Sequence, residues 1–77
     1  MSPTDTIMDV LRDGGKVILH DGRSFYGNTV DGYIKVALDD DMIGLGEDIY
    51  IGLRPLTEQG LLNAYADCAP VLDDLQR

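Results

Sequence analysis

The sequence predicts an α+β domain, mostly β, in which a small, strongly bent antiparallel sheet or barrel lies between an N-terminal and a C-terminal helix. Three observations support this class. Both ends of the chain carry apolar residues at helical spacing, the middle carries short alternating segments, and Asp-Gly pairs separate those segments. The 77 residues are the length of a single domain, and we divide it into helix 3–13, sheet 16–54 and helix 57–76.

The first helix is predicted from its start signal and its apolar face. Ser2 is the N-cap candidate, Pro3 suits the first helical position, and Asp5 lies where a capping box requires an acid. The apolar stripe that follows consists of Ile7, Met8, Val10 and Leu11. Gly14 and Gly15 are expected to end the helix, because glycine accepts the left-handed conformation found at helix C-termini.

Two strands form the first predicted hairpin. Residues 17–19 are apolar, residues 24–30 follow, and Asp21-Gly22 between them is a strong hairpin signal. Gly27 lies inside the second strand, where a glycine indicates a bulge or a sharp bend. Because all neighbouring strands are joined by short turns, the sheet is predicted to be antiparallel.

Two further strands are predicted after a second Asp-Gly turn. Apolar and polar residues alternate over residues 33–38, as in a half-buried strand. Residues 39–48 are predicted to form a polar loop, and Pro55 ends the strand that follows it. The alternating apolar residues of this fourth strand are Ile49, Ile51 and Leu53.

The C-terminal helix is predicted to begin at Thr57, a suitable N-cap residue. Its expected apolar stripe consists of Leu61, Leu62, Tyr65 and Cys68. Pro70 is expected to break or kink this helix, because proline clashes with the preceding turn. One further turn could then pack through Val71, Leu72 and Leu75.

Several functional classes are disfavoured by composition. With a single cysteine, Cys68, and a single histidine, His20, the chain offers no internal disulfide and no Cys/His zinc site. No motif places a nucleophile beside a base, so the sequence predicts no catalytic residues. It also predicts no bound metal and no cofactor. No apolar run is long enough to span a membrane, and residues 1–5 lack signal-peptide features. The lone free thiol agrees with a reducing compartment, so we expect a cytoplasmic protein.

The chain is strongly acidic, with 14 acidic against 6 basic residues and a net charge of −8. Proteins that bind duplex DNA usually carry a basic face, so we expect no duplex partner. The candidate acidic interaction patch consists of Asp39, Asp40, Asp41, Glu47 and Asp48. This patch is either solvated surface, or a surface that meets a basic protein or mimics nucleic-acid phosphates.

Two segments match a known pair of motifs. The stretch LHDGRSFYG, residues 19–27, resembles the pattern L-x-D-G-x-x-x-x-G. The stretch DGYIKVAL, residues 31–38, resembles D-x-aromatic-M-N-x-x-L. Together with the preceding helix, residues 3–40 thus resemble Sm-like proteins, in which an N-terminal helix precedes a five-stranded, strongly bent barrel. The family's second motif, usually I-R-G, is poorly matched in residues 50–54, and SH3-like barrels share such turn residues.

The resemblance implies a homo-oligomeric ring in which the edge strands of neighbouring subunits join. A separate argument agrees, because chains of this size often need a partner subunit for stability. The resemblance also implies a site for single-stranded RNA, whose residues would be Asp31, Tyr33, Lys35 and Arg54. Tyr33 could stack on a base and Lys35 could meet a phosphate or a base edge, although the family has an asparagine at the place of Lys35.

Two functional hypotheses follow. The first is a non-catalytic Sm-like homo-oligomeric module that binds a protein or, weakly, single-stranded RNA, and the net charge favours the protein ligand. The second is an acidic interaction protein, such as a phage-type inhibitor or nucleic-acid mimic that binds a basic host protein. A defined multimer in solution would support the first hypothesis, and salt-sensitive binding to a basic partner would support the second.

Overall fold

The computed structural model describes residues 2–75. In chain order the elements are α1 (Pro3–Arg12), β1 (Lys16–Ile18), β2 (Arg23–Asn28), β3 (Tyr33–Leu38), α2 (Asp40–Ile43), β4 (Ile49–Pro55) and α3 (Glu58–Leu75). The strands form one antiparallel sheet in the order β1-β2-β3-β4, and β1 and β4 are its two edges. The predicted α+β class, with a helix on either side of an antiparallel sheet in the sequence, is confirmed, and the sheet is open. The expectation of a mostly β domain is wrong, because the helices of residues 2–75 contain more residues than the strands.

Helix α1 begins at Pro3 as predicted and ends at Arg12, one residue before the predicted bound. The hydroxyl of Ser2 accepts a hydrogen bond from the backbone N–H of Asp5 (3.2 Å), and the Asp5 carboxylate accepts one from the Ser2 N–H, which completes a capping box. Gly14 follows the helix with a φ of +80°. Met8 and Leu11 are the fully buried members of the apolar stripe.

The β1–β2 turn confirms the hairpin predicted at Asp21-Gly22. The Leu19 N–H donates to the carbonyl oxygen of Arg23 (2.7 Å), and the Gly22 N–H donates to that of Leu19 (3.0 Å). Gly22 has a φ of +102°, a conformation that side chains with a Cβ rarely adopt. The turn residue thus sets the register in which β1 pairs with β2.

Gly27 does not form the predicted bulge, because the β2–β3 ladder is continuous and pairs Gly27 with Ile34. The glycine instead allows α1 to approach the sheet. A Cβ at this position would lie 1.9 Å from the carbonyl oxygen of Leu11, and the Gly27 N–H donates to the carbonyl oxygen of Gly15 (3.1 Å). The end of α1 therefore rests directly on the backbone of β2.

The irregularity of the ladder lies instead in β4, where Val36 pairs with Gly52 but Ala37 pairs with Tyr50. Ile51 is the extra residue of this bulge, and a bulge shifts the alternation of side chains by one. Ile49 and Ile51 therefore pack against the core, whereas Leu53 turns outward and is 45% exposed. The alternation predicted through Leu53 is wrong beyond Ile51 for this reason.

Residues 39–48 are not simply the predicted loop, because they contain the short helix α2. The carboxylate of Asp48 accepts a hydrogen bond from the Asp40 N–H (2.7 Å), a donor that the first turn of a helix leaves unpaired. Gly44 ends α2 with a φ of +72°. A contact across eight residues of sequence therefore closes this segment on itself.

Helix α3 is capped as predicted, since the Thr57 hydroxyl accepts a hydrogen bond from the Gly60 N–H (3.0 Å). Of the break or kink expected at Pro70, the break is wrong, because the helix is continuous to Leu75. Residue 76, the predicted end, lies outside the described residues. Pro70 itself is exposed, and burial of Leu72 beyond it holds the last turns on the core.

The core fills the space between the helices and one face of the sheet. The buried stripe of α3 consists of Leu61, Ala64, Cys68 and Leu72, whereas the predicted members Leu62 and Tyr65 are about half exposed. From the sheet the core receives Phe25, Ile34, Val36 and Leu38. Within residues 2–75, no helix combines the length and the apolar character needed to cross a membrane.

Candidate functional site

The candidate site is the sheet face that points away from α1 and α3, termed here the outer sheet face. This face carries lysine and tyrosine side chains. Its residues follow from the strand register, since directly paired residues share a face. They are Lys16, Ile18, Ser24, Tyr26, Asn28, Tyr33, Lys35, Ala37, Tyr50, Leu53 and Pro55. In the described part of the chain both long helices pack on the opposite face.

An open depression of about 330 Å³ lies on this face. Its lining residues are Lys16, Ser24, Tyr26, Tyr33, Lys35, Ala37 and Asp48. Ser24 and Ala37 are the most buried of the strand residues here, and the Ser24 hydroxyl donates to the Ala37 carbonyl oxygen (3.2 Å). The aromatic and charged side chains stand around these two small residues.

Aromatic rings and ammonium groups alternate across the face. One cross-strand row runs from Lys16 through Tyr26 to Lys35. Tyr33 is two residues from Lys35 on the same strand, and Tyr50 pairs with Ala37. Tyr26 is 45% exposed and Tyr50 is 59% exposed. Both lysines of the chain and three of its four tyrosines therefore lie on one uncovered surface.

Carboxylates lie at one side of the same depression. The ammonium nitrogen of Lys16 is 3.8 Å from a carboxylate oxygen of Asp39, and Asp48 lines the depression directly. Lys35 forms no salt bridge within residues 2–75. Of the two ammonium groups, that of Lys35 is thus the freer to meet a ligand.

The predicted RNA-contacting residues are only partly brought together. Tyr33 and Lys35 lie on the outer sheet face, and Asp31 lies in the turn just before them, next to the Asn28 amide. Arg54 does not join them, because it pairs with Ile34 on the inner face and forms an ion pair with Asp67 of α3. The bulge in β4 is the physical reason, since it exchanges the faces of Leu53 and Arg54.

Lys16, Tyr26 and Tyr50 belong to the face but were not predicted to take part in a site. The sequence carries a partial signal for Tyr26, since one of the adjacent aromatic residues Phe25 and Tyr26 must point away from the core. Which strand positions are neighbours depends on the register, and the register is visible only in the folded chain.

The predicted acidic patch is divided by the fold. Asp39 is 8% exposed and is paired with Lys16, so it contributes little free charge to the surface. The other members, Asp40, Asp41, Glu47 and Asp48, lie on and after α2 at positions that solvent reaches. No three His, Cys, Asp or Glu side chains of residues 2–75 are placed to hold one metal ion.

Arg23 and Cys68 form a structural cluster beneath the hairpin turn. The Arg23 guanidinium lies 3.8 Å from the centre of the Tyr65 ring and donates to the Asp21 carboxylate (2.8 Å). Burial raises the pKa of the Cys68 thiol above its ordinary value, while the charge of Arg23 opposes that shift. A thiol that is buried and protonated is a poor nucleophile, so Cys68 acts as a core residue.

No protein-family model, curated protein or solved structure matches this chain. The likeness of residues 3–40 to the Sm-like motifs therefore stays a prediction.

Proposed function

We propose that the protein is a non-catalytic module that binds single-stranded RNA on its outer sheet face and works as a homo-oligomer. The observation that carries the RNA proposal is the concentration of both lysines and three of the four tyrosines on one uncovered face. Every base has a flat π-face that can stack on a tyrosine ring, and ammonium groups can donate to phosphate oxygens. The face thus offers both kinds of contact that a single strand requires.

The arrangement suits separate bases better than a duplex. In a duplex the bases are stacked on one another, and their edges are reached only through grooves. Within residues 2–75, the outer sheet face carries tyrosines but no helix that could enter a groove, because α1 and α3 pack on the opposite face. In addition, two lysines provide little of the phosphate neutralisation on which duplex binding depends. The negative net charge of the chain disfavours duplex binding. It still permits weak binding of a single strand in which base stacking supplies most of the affinity.

Fluorescence anisotropy with a short fluorescein-labelled oligouridine or oligoadenine strand tests this proposal. We expect Tyr26→Ala to weaken binding by about tenfold, the factor that corresponds to about 1.4 kcal/mol of lost stacking. Tyr26→Phe keeps the ring and should keep the affinity. Lys35→Gln should weaken binding more than Arg12→Gln, which removes the same charge from the exposed end of α1.

Binding should depend only shallowly on salt, because neutralising at most two phosphates gives a slope of about −1.4 for log K against log salt. The proposal fails if the wild-type protein does not bind either strand at low salt. It fails equally if Tyr26→Ala, folded by circular dichroism, binds as tightly as wild type.

The homo-oligomer is supported by the open sheet. β4 is an edge strand of seven residues that exposes Tyr50 and Leu53, whereas the other edge, β1, has three residues and carries Lys16. Long edges without charged residues at their centre tend to pair with another chain. If residues 3–40 form part of an Sm-like subunit, a neighbouring copy pairs with the open sheet edges β1 and β4. Such pairing would join the subunits into a ring and close each sheet in the manner of a barrel.

Light scattering tests the oligomer through its mass. We expect a multiple of the 8.4 kDa chain mass at micromolar concentration. Leu53→Lys places a charge on the β4 edge and should release monomers, whereas Leu62→Lys, at a comparably exposed position on α3, should leave the mass unchanged. A wild-type mass of 8.4 kDa would contradict the proposed oligomer, but it would not contradict the proposed RNA binding.

A second candidate function is the acidic interaction protein. The specific observation in its favour is the group of exposed Asp41, Glu47 and Asp48 and half-buried Asp40 on and after α2. This function requires a basic protein partner and an attraction that added salt screens. If the protein is a folded monomer and does not bind oligouridine, this second function is favoured. Binding to a basic protein partner that is unaffected by salt would contradict it.

A further inference from the structure

Two carboxylates accompany the two ammonium groups of the outer sheet face. Asp48 lines the depression together with Lys16 and Lys35. The Asp39 carboxylate lies 3.8 Å from the Lys16 ammonium nitrogen. The positive charges that would attract a polyanion are therefore balanced locally by an equal number of negative charges.

A backbone hydrogen bond holds the Asp48 carboxylate, and burial beside Lys16 restricts the Asp39 carboxylate. Asp48 accepts a hydrogen bond from the Asp40 N–H (2.7 Å), which ties its side chain to the start of α2. The Asp39 N–H donates to the carbonyl oxygen of Gly22 (2.7 Å), and the Asp39 side chain is only 11% exposed. A ligand in the depression would thus meet the tethered Asp48 carboxylate, whereas Asp39 acts through its ion pair with Lys16.

Fixed carboxylates beside the tyrosines affect which nucleic acid the outer sheet face prefers, single strand or duplex. Duplex nucleic acid presents a higher density of phosphate charge than a single strand and offers no free base to the tyrosines. A negative rim penalises the ligand with the higher charge density more strongly. Specificity is a difference of affinities, and a repulsive element that lowers the wrong affinity creates it as effectively as an attractive contact.

From this geometry we infer that Asp48, supported by Asp39, is a specificity-determining residue that keeps the outer sheet face selective for single-stranded over duplex nucleic acid. The inference rests on the proposed RNA binding and adds the origin of its selectivity. It assigns a role to the rim of the depression that neither lysine nor tyrosine can supply.

Asp48→Asn isolates the charge, because asparagine keeps a side-chain oxygen that can accept the Asp40 N–H. The matched control is Asp41→Asn, which removes the same charge from the same segment at an exposed position outside the depression. Each protein is titrated against labelled oligouridine and against a labelled duplex of the same length, at several salt concentrations.

We expect Asp48→Asn to tighten duplex binding by about tenfold and single-strand binding by a smaller factor, so that the selectivity ratio falls. The salt slope should become steeper for both ligands, because loss of the carboxylate leaves the charges of Lys16 and Lys35 less compensated. Asp41→Asn should change either affinity by no more than about twofold, because exposed charges at longer range are screened.

The inference is overturned if Asp48→Asn leaves the ratio of the two affinities unchanged, or if Asp41→Asn changes it as much. Those results would leave wild-type binding to oligouridine intact, so the RNA proposal would stand. Absence of wild-type binding to oligouridine would refute the RNA proposal itself. Asp48→Asn protein that has lost its circular-dichroism signal is replaced by Asp48→Ser, which is judged by the same ratio.

Discussion

The close approach of α1 to β2 makes Gly27→Ala the most informative single substitution for the fold. The added Cβ would lie 1.9 Å from the carbonyl oxygen of Leu11 and 2.6 Å from its carbonyl carbon. Ordinary contact begins near 3.4 Å, so the two backbones would have to separate by roughly 1.5 Å. No side-chain rotation relieves this clash, because both partners are main chain.

The magnitude follows from what that separation disrupts. Overpacking of a tight core contact costs typically about 1–3 kcal/mol, and loss of the hydrogen bond from Gly27 to Gly15 adds about 1 kcal/mol. The helix residues Met8 and Leu11 also move away from the core they fill. We expect a total loss of about 3–4 kcal/mol, which lowers Tm by about 12–30 °C in a domain of this size.

Thermal unfolding followed by circular dichroism measures this loss, at one protein concentration because assembly would shift Tm. Gly52→Ala is the control, since its Cβ would meet only the Arg54 guanidinium at 3.5 Å and its φ is not positive. We expect the control to change stability by less than about 1 kcal/mol. A Gly27→Ala variant as stable as Gly52→Ala would refute the close packing of α1 on β2.

Three further predictions concern α3. Pro70→Ala should stabilise the protein by up to about 3 kcal/mol in urea unfolding, because an exposed proline interrupts a continuous helix; an unchanged midpoint would mean that the helix ends before it. Thr57→Ala should cost about 0.5–2 kcal/mol through loss of the cap on Gly60, whereas Thr57→Ser should cost much less. Burial raises the pKa of the Cys68 thiol, so the unfolded state loses this proton at lower pH than the folded state. Stability should therefore fall as pH rises above the ordinary thiol pKa, a loss absent from Cys68→Ala and measurable by unfolding at alkaline pH.

The local features of the fold were predictable because they depend on neighbouring residues. The capping box of Ser2 and Asp5, the Asp21-Gly22 turn and the Thr57 cap each use side chains or φ angles within a few residues of each other. Their chemistry is complete in the sequence, and the structure places all of them where the sequence predicts.

The departures arise where distant segments decide the outcome. Period-2 alternation carries no information about a bulge, so the extra residue Ile51 reversed the faces expected for Leu53 and Arg54. Because of this bulge, Arg54 lies outside the predicted RNA site and forms an ion pair with Asp67. Pro70 illustrates the opposite case, in which packing of Leu72 on the core outweighs an unfavourable local preference.

The candidate site was predictable only in part for the same reason. Tyr33 and Lys35 share one strand, so their common face follows from their spacing. Lys16 and Tyr26 join them only through the pairing of β1 with β2 and of β2 with β3. Sequence reasoning can name residues on one strand, but the combination across strands needs the register.

The order of the strands in the sheet is also their order in the chain, and this has a consequence for how the molecule acquires its shape. Each strand pairs with its immediate successor, so the sheet is built from nearby segments, and α1 contacts α3 across the longest separation in sequence among the described elements. Chains with such local pairing have low contact order and fold quickly for their class, on the order of milliseconds. We expect stopped-flow refolding at low protein concentration to reach the compact subunit on that scale, before any slower, concentration-dependent assembly; a first phase that itself scales with concentration would show that the subunit does not fold alone.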